Sequence, residues 1–371
     1  MTQSPQSPAV PEGQTAHVAS ANSVIWSDSE RQSRFENWLN ALTDAHGLQR
    51  ATLRAASADA SFRRYLRINA TGSDGQDKSL IIMDAPPDKE NSAPFVKVAG
   101  LMQDAGLRVP EILNWDAPNG FMLLSDLGAQ TMMQIIDPAA PPPLDLYLQA
   151  TDLLVQWQLA SKPAVLPPYD HALLLREVEL YPQWYVAQHR GFTLDTAQRK
   201  TLDDAFACII ENNLRWPSVY VHRDFMPRNL MVSREGLGVL DFQDAVYGPI
   251  TYDIASLMRD AFLSWEEDFC LDVTIRYWEK ARKAGLPVGD DFGEFYRGVE
   301  WMGLQRHLKV TGIFARLTLR DGKPQYLADT PRFIHYMRST CERYRELKPL
   351  LRLIEKIDGI EIPNVFAFGR T

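Results

Sequence analysis

One segment constrains this chain more than any other, residues 220–244, which read YVHRDFMPRNLMVSREGLGVLDFQD. Its first half places His222, Asp224 and Asn229 in one short loop, and a further acid, Asp241, follows a turn. The apolar residues between them predict three short buried strands, the last two joined by a hairpin turn. We therefore expect Asp224, Asn229 and Asp241 to converge at one end of a small sheet.

This set of side chains suits phosphoryl transfer from ATP. The transition state is loose and highly charged, so catalysis depends on positioning and on the electrostatics of a bound metal. The spacing H-x-D-x-x-x-x-N, followed by D-F, resembles the catalytic loop and metal-binding turn of the protein-kinase-like superfamily. The resemblance implies that Asp224 is the catalytic base and that Asn229 and Asp241 hold Mg²⁺ on the triphosphate. His222, and Asp253 at the start of a later helix, are expected to support the loop structurally.

The composition favours a small-molecule partner. The chain has 371 residues, of which 39 are basic and 47 acidic, and its pI is near 5.5. This balance argues against binding to nucleic acid or to an anionic membrane. No apolar run is long enough to span a membrane, and no signal peptide is readable. The three cysteines lie far apart, which argues against a disulfide framework or a zinc site. We expect a cytoplasmic protein and a monomer.

The predicted fold is α+β and bilobal, with a small antiparallel-sheet N-lobe and a larger, mainly helical C-lobe, as in the protein-kinase-like superfamily. Residues 1–22 are rich in Ser, Pro, Gln and Ala and predict a disordered tail. Alternating apolar residues after this tail predict antiparallel strands. The N-lobe that contains them is expected to cover residues 23–125. Residues 126–371, with the catalytic loop, the metal site and several helices, are expected to form the C-lobe.

The expected nucleotide contacts begin in the N-lobe. A tight turn of small residues would lie over the ATP phosphates with the hydroxyls of Ser57 and Ser61, and an ordinary hairpin is the alternative. The lysine that usually holds the α- and β-phosphates should fall near the segment IIMD, which contains none. Arg64 is a candidate substitute, with a surface arginine as the alternative, and the missing lysine leaves open an inactive, binding-only protein. Adenine would be read by the backbone of a hinge strand at Leu124, Ser125, Asp126 and Leu127.

Three places could contact the substrate. Aromatic rings with nearby acids suit a sugar, which favours Glu179 and Trp184, although an amphipathic helix that buries its aromatic residues is the alternative. Arg306 and Lys309, in the run RHLKVTGIFARL, could hold a carboxylate, and a solvated helix face is the alternative. Asp244, shortly after the metal-binding acid, could face substrate hydroxyls or lie in a solvated turn.

A wider family resemblance extends over about residues 30–350. It rests on the motifs VHRDFMPRNLM, DFQDAVYGPITYDIASLMRD and QRHLKVTGIFARL, with IIMDAPPDKE and GFMLLSDLG upstream. These motifs resemble the aminoglycoside phosphotransferase family and, within it, the bacterial N-acetylmuramate/N-acetylglucosamine anomeric kinases of cell-wall recycling. The resemblance implies that ATP and Mg²⁺ are used to phosphorylate the anomeric hydroxyl of an N-acetylated amino sugar. A kinase of another hydroxyl, such as an aminoglycoside, choline or homoserine, is the alternative within the fold.

Overall fold

The structure, a computed structural model, describes residues 24–58, 62–72 and 74–360. The predicted disordered tail, residues 1–22, and Ser61 lie outside the described residues. The chain divides into two compact units. Among the described residues, the first comprises those of residues 24–92 and Ile112–Asp126, and the second comprises Ala93–Glu111 and residues 127–360.

In the part that the structure describes, the first unit contains one helix and a five-stranded antiparallel sheet. Its elements are α1 (Ser29–His46), β1 (Leu48–Ala58), β2 (Arg64–Thr71), β3 (Asp77–Asp84), β4 (Ile112–Asp116) and β5 (Phe121–Ser125). The strand order in the sheet is β1-β2-β3-β5-β4. The helix begins after Asp28, whose carboxylate accepts the backbone N–H groups of Glu30 and Arg31, and it ends at Gly47, which adopts the left-handed conformation.

The apolar face of α1 explains why the helix packs on the sheet. Phe35 and Leu39 are almost fully buried and lie against alternate residues of β2, β3 and β5. Successive strand residues point to opposite faces, so the alternation that predicts the strands also directs their apolar side chains toward the helix. These side chains are Leu66, Ile68, Leu80, Ile82, Phe121 and Leu123.

The second unit is mainly helical, with two small sheets. Its helices are α2 (Ala93–Asp104), α3 (Met132–Ile135), α4 (Leu144–Leu159), α5 (His171–Val178), α6 (Thr196–Leu214), α7 (Thr251–Met258), α8 (Glu267–Lys283), α9 (Phe292–Leu319), α10 (Thr330–Arg343) and α11 (Lys348–Asp358). Its strands are β6 (Gln130–Thr131), β7 (Ser218–Val221), β8 (Leu230–Ser233), β9 (Gly236–Val239) and β10 (Val246–Pro249). A π-helical segment covers Tyr181–His189, and 3₁₀ turns cover Pro227–Asn229, Pro324–Asp329 and Arg345–Leu347.

The division into units differs from the predicted lobes at residues 93–111 and at Asp126, which belongs to the first unit. The sequence places residues 93–111 in the N-lobe, whereas the structure groups them with the second unit. Helix α2 in this segment buries Phe95 against Phe242, with the two ring centroids 4.9 Å apart. Because Phe242 directly follows Asp241, this aromatic contact packs α2 against the catalytic part of the chain.

Residues 220–244 do not build a single small sheet, so that part of the prediction is wrong. Strand β7 pairs with β10, which lies beyond the segment, whereas β8 and β9 form a hairpin that pairs with β6. The loop between β7 and β8 contains the 3₁₀ turn at Pro227–Asn229. The strand before the loop and the strand after it belong to different sheets. The loop therefore lies between two sheets.

Helix α9 is buried along most of its length. Gly312 permits close packing against the residue before the π-helical segment, because a β-carbon at this position would lie 2.3 Å from the Leu180 carbonyl carbon. The middle of α9, which carries Arg306 and Lys309, is also buried.

The predicted α+β class is confirmed by the antiparallel sheet of the first unit and the helices of the second. In the part of the chain that the structure describes, no helix combines the length and the apolar character needed to cross a bilayer.

Candidate active site

The loop between β7 and β8 brings Asp224, Asn229 and Asp241 together. The Asn229 side-chain nitrogen Nδ2 donates to the backbone carbonyl of Asp224 at 2.9 Å and contacts Asp241 Oδ2 at 3.4 Å. One amide thus ties the main chain of the predicted base to the carboxylate of the predicted metal ligand. The expected convergence of the three residues is present, although two sheets rather than one produce it.

Asp241 is held in an unusual backbone conformation. Its φ is 62°, in the left-handed region that residues other than glycine seldom adopt. The side chain is exposed, and its Oδ1 accepts a hydrogen bond from Gln243 Nε2 at 2.8 Å. Backbone conformations of this kind cost free energy and concentrate at functional sites, where surrounding contacts maintain them.

His222 is a structural member of the loop. Its Nδ1 accepts the backbone N–H of Asp224 at 3.2 Å, so the neutral ring carries its proton on Nε2, which donates to the Leu240 carbonyl at 2.9 Å. Burial lowers the pKa of the imidazole and favours this neutral form. The ring therefore joins the loop to the chain just before Asp241.

Asp253, in the first turn of α7, supports the same loop. Its two carboxylate oxygens accept the backbone N–H groups of His222 at 2.7 Å and of Arg223 at 3.0 Å. The side chain is fully buried, and burial raises its pKa to about 6. Asp253 thus bonds the backbone of the loop directly, and its predicted supporting role stays a prediction.

Three basic side chains set the electrostatic environment of Asp224. Burial alone would raise the pKa of its carboxyl group, but the charges of Lys309, Arg306 and Arg223 outweigh burial and hold the pKa below its ordinary value. Asp224 is consequently ionised at neutral pH and can accept a proton.

Arg306 and Lys309 do not lie on a solvated helix face, so that alternative is wrong. Their residues are 2% and 7% exposed. Arg306 Nη1 donates to the backbone carbonyl of Arg223 at 2.7 Å, and Lys309 Nζ lies 3.0 Å from Glu177 Oε1. Both side chains therefore have partners within the protein. Their contact with a substrate carboxylate stays a prediction.

Glu177, which the sequence does not single out, is the acid that pairs with these basic side chains. The side chain, from α5, is almost fully buried and pairs with both Lys309 and Arg223. Glu177 and Glu179 lie in the same helical stretch of the sequence, and Glu179 is the predicted substrate contact. Glu179 instead pairs with Arg199 of α6. The helical pattern contained a signal, because Glu177 falls between the buried Leu174 and Val178 on the inward side of α5.

The charge balance around Glu177 predicts a pH-dependent stability. Burial alone would raise the pKa of this carboxyl group, but the charges of Lys309 and Arg223 hold it at about 2, below the ordinary value of 4.5. The ionised form therefore contributes stability that is present above about pH 4.5 and is lost as the pH falls toward 2. The full contribution is about 3 kcal/mol.

We expect the difference in unfolding free energy between the wild type and Glu177→Gln to shrink as the pH falls from about 5 toward 3. Denaturant titrations at several pH values measure this difference. A difference that stays constant over this range would contradict the proposed charge balance.

The remaining predicted substrate contacts lie in separate settings. Trp184 is half-buried in the π-helical segment. Asp244 is exposed, and its backbone carbonyl accepts a hydrogen bond from Arg223 Nη1 at 3.4 Å. The exposed carboxylate of Asp244 fits either of its two predicted roles.

The segment IIMD, where the expected lysine is missing, ends in a buried acid of the first unit. Asp84, at the end of β3, is 1% exposed and pairs with Arg31 of α1 and Arg64 of β2. Arg64 also donates from Nη1 to the Ile25 carbonyl at 2.9 Å, and its guanidinium lies 4.2 Å from the ring centroid of Trp26. A phosphate contact by Arg64 stays a prediction, and it would require this ion pair to open.

The predicted hinge residues lie at the end of β5 and just beyond it. Leu124 is buried and pairs with Ile81, and Ser125 pairs with Leu80 in the same ladder. Asp126 is bound by Arg67 at 2.7 Å and by the Ser79 hydroxyl at 2.6 Å. The other predicted nucleotide contacts are Ser57, which lies in β1 opposite Tyr65, and Leu127, which is buried in the second unit.

The donor set at the loop fits a hard divalent cation that is shared with phosphates. Among residues 24–58, 62–72 and 74–360, no group of three or more His, Cys, Asp or Glu side chains could hold a metal. Asn229 and Asp241 supply one amide and one carboxylate. Mg²⁺ usually takes one or two protein carboxylates and completes its octahedral shell with waters and substrate phosphates. Two protein ligands, Asn229 and Asp241, are therefore enough for a Mg²⁺ ion that is also bound by nucleotide phosphates.

Sequence comparisons agree with this chemistry. Residues 52–292 match the family described as "Phosphotransferase enzyme family". The N-acetylmuramate/N-acetylglucosamine kinase of Neisseria meningitidis serogroup B is 48% identical over 334 residues, which cover 90% of this chain and 97% of that protein. The protein of the same name from Pseudomonas aeruginosa is 46% identical over 341 residues, which cover 89% of this chain and 98% of that protein.

Solved structures with a similar fold are more distant in sequence. A choline/ethanolamine kinase family protein from Mesorhizobium loti superposes with a TM-score of 0.58 at 15% identity, covering 88% of this chain and 99% of that chain. The ADP-bound aminoglycoside phosphotransferase APH(2'')-Ib gives a TM-score of 0.56 at 12% identity, covering 84% of this chain and 99% of that chain. At these identities the similarity shows the fold, which is protein-kinase-like.

Proposed function

Because the chain belongs to the phosphotransferase enzyme family, we propose that it transfers the γ-phosphate of ATP to the anomeric hydroxyl of N-acetylmuramate or N-acetylglucosamine. The observation that carries the proposal is the identity of 46–48% with kinases named for these two sugars, over about nine-tenths of the chain. The geometry of the loop supports it, since Asn229 joins the main chain of Asp224 to the carboxylate of Asp241.

Asp224 is the proposed catalytic base. Its carboxylate is ionised at neutral pH because Lys309, Arg306 and Arg223 lower its pKa. An anomeric hydroxyl is more acidic than an ordinary alcohol, so the base has mainly to orient the hydroxyl and to accept its proton late in the reaction. The product is a sugar 1-phosphate, which suits a role in peptidoglycan recycling.

Asn229 and Asp241 are the proposed holders of Mg²⁺. Bound there, Mg²⁺ would neutralise the charge that develops on the phosphate oxygens during transfer. Asp253 and His222 keep the loop in place for this chemistry through the backbone of Arg223 and of Asp224. We place the reaction in the cytoplasm, where ATP is available, and we propose that the chain acts as a monomer.

A parallel acceptor assay tests the proposal. ADP release is measured with Mg²⁺ and ATP against N-acetylmuramate, N-acetylglucosamine, glucose, choline and kanamycin. We expect kcat/KM for the two N-acetylated sugars to exceed that for each other acceptor by at least about 10²-fold, as polar recognition of an acetamido group allows. Preference for choline or kanamycin would favour the alternative kinases, and no release with any acceptor would favour a binding-only protein.

A further inference from the structure

The residue before the proposed base has a backbone that must be held in place. Arg223 has a φ of 78°, in the left-handed region. Glycine adopts this conformation readily, whereas an arginine there costs about 1–3 kcal/mol and persists only when its surroundings fix it. Because Arg223 directly precedes Asp224, its φ and ψ set the direction in which the Asp224 carboxylate points.

The backbone groups of Arg223 are both bound. The N–H donates to Asp253 Oδ1 at 3.0 Å, and the carbonyl accepts from Arg306 Nη1 at 2.7 Å. These contacts hold the peptide planes on either side of the Arg223 α-carbon. The side chain of Arg223 is the third group of this residue whose contacts can hold its backbone conformation.

The side chain of Arg223 is anchored by Glu177. Arg223 Nη2 lies 2.5 Å from Glu177 Oε1, a contact between residues 46 positions apart in the sequence. The guanidinium carbon also lies 6.0 Å from the ring centroid of Tyr169. An ion pair with a buried carboxylate restricts a guanidinium far more than a solvated surface contact would.

Glu177 is itself rigidly held. Its Oε1 lies 3.0 Å from Lys309 Nζ, and its Oε2 accepts hydrogen bonds from Gln305 Nε2 at 3.1 Å and from the Tyr169 hydroxyl. Each oxygen thus has a partner on α9, and Oε2 has a second partner, Tyr169, in the segment before α5. The residue is 5% exposed, so a loss of its charge leaves the buried Lys309 and the partly buried Arg223 without their shared counterion.

We propose that Glu177 is a positioning residue for phosphoryl transfer, which fixes the Arg223 side chain and through it the direction of the Asp224 carboxylate. This inference rests on the proposed function in that it assigns the base to Asp224. Glu177 touches no reacting atom in this mechanism. It acts on the placement of the base, and a displacement of about 1 Å in such a group lowers turnover by about 10²-fold.

Steady-state kinetics of Glu177→Gln tests the inference, with Glu355→Gln as the matched control. Glu355 is also 5% exposed and also pairs with an arginine, Arg338, at 2.9 Å on α10, away from the loop. We expect Glu177→Gln to lower kcat by about 10- to 100-fold with the KM for ATP and for the sugar changed by less than about threefold. Glu355→Gln should leave kcat unchanged at temperatures where both variants are folded.

A double-mutant comparison tests whether Glu177 acts through Arg223. Arg223→Lys keeps the charge and removes the planar fork that pairs with the carboxylate. If the two residues act as one unit, the variant with both substitutions loses about as much kcat as the more damaging single substitution. A loss equal to the product of the two single losses would overturn the inference.

Hydrogen exchange of the peptide that covers residues 220–226 provides a readout independent of turnover. We expect Glu177→Gln to speed exchange of the Arg223 and Asp224 amides, while Glu355→Gln leaves it unchanged. Unchanged exchange and unchanged kcat in Glu177→Gln would overturn the inference. If the wild type phosphorylates none of the acceptors while Glu177→Gln loosens the loop, the proposed function fails and the structural anchoring by Glu177 stands.

Discussion

Replacing Asp224 with asparagine is expected to lower kcat by about 10²- to 10⁴-fold, the range that a general base contributes. Asparagine has nearly the same shape, and the hydrogen bond from Asn229 goes to the backbone carbonyl of residue 224, so the loop can keep its conformation. The affinity for ATP should change by less than about threefold, because the substitution removes the proton acceptor and leaves Asn229 and Asp241 in place. Turnover is measured by coupled ADP release, and nucleotide affinity by calorimetry.

The control for Asp224→Asn is Asp272→Asn. Asp272 is a surface residue of α8 that pairs with Arg276 one turn later, and exposed pairs of this kind contribute little to stability. Asp272→Asn should retain full turnover. Near-normal activity in Asp224→Asn would remove this residue from the role of base and leave the reaction to another group.

The chemistry of the loop could be predicted from the sequence because it is local. Asp224 and Asn229 lie in one loop, and Asp241 follows after a single hairpin, so short-range spacing alone brings them close. The strands around them could be identified from their apolar residues. Their pairing could not, since β7 takes its partner from β10 and the β8–β9 hairpin takes its partner from β6.

Contacts that no local pattern contains decide that Glu177, and not the predicted Glu179, pairs with Arg223 and Lys309. Helix α5 ends at Val178, so Glu179 lies at the turn into the π-helical segment and pairs with Arg199 of α6. Glu177 points inward to Arg223 and Lys309, which lie 46 and 132 positions further along the chain. A buried carboxylate needs opposite charges nearby, and only the folded structure shows which of two neighbouring acids has them.

In the first unit too, the partners of a buried acid could not be predicted from the local sequence. The sequence shows that the segment IIMD contains no lysine, and it suggests Arg64 as a candidate substitute at the phosphates. The structure instead pairs both Arg31 and Arg64 with Asp84. Arg31 belongs to a helix that precedes the whole sheet, so this arrangement could not be predicted from the spacing within the strands.

Replacing Asp241 with asparagine is expected to lower kcat by about 10²- to 10³-fold at a fixed Mg²⁺ concentration. The effect corresponds to the several kcal/mol that a bound metal contributes to stabilising a charged transition state. Asp241 has a left-handed φ of 62°. Asparagine tolerates this conformation about as well as aspartate does, so the substitution removes charge without adding backbone strain. Turnover is measured over a range of Mg²⁺ concentrations, and calorimetry compares ATP binding with and without the metal.

The dependence on Mg²⁺ separates a metal-binding role from a general loss of structure. If Asp241 holds the metal, Asp241→Asn should need a higher Mg²⁺ concentration for half-maximal turnover, and the benefit of Mg²⁺ for ATP binding should decrease. Asp290→Asn, at an exposed acid that pairs with Arg282, should show the wild-type Mg²⁺ dependence. If Asp241→Asn lowers kcat but keeps the wild-type Mg²⁺ dependence, Asp241 is not a metal ligand. The contact between Asn229 and Asp241 would then serve only to hold the loop.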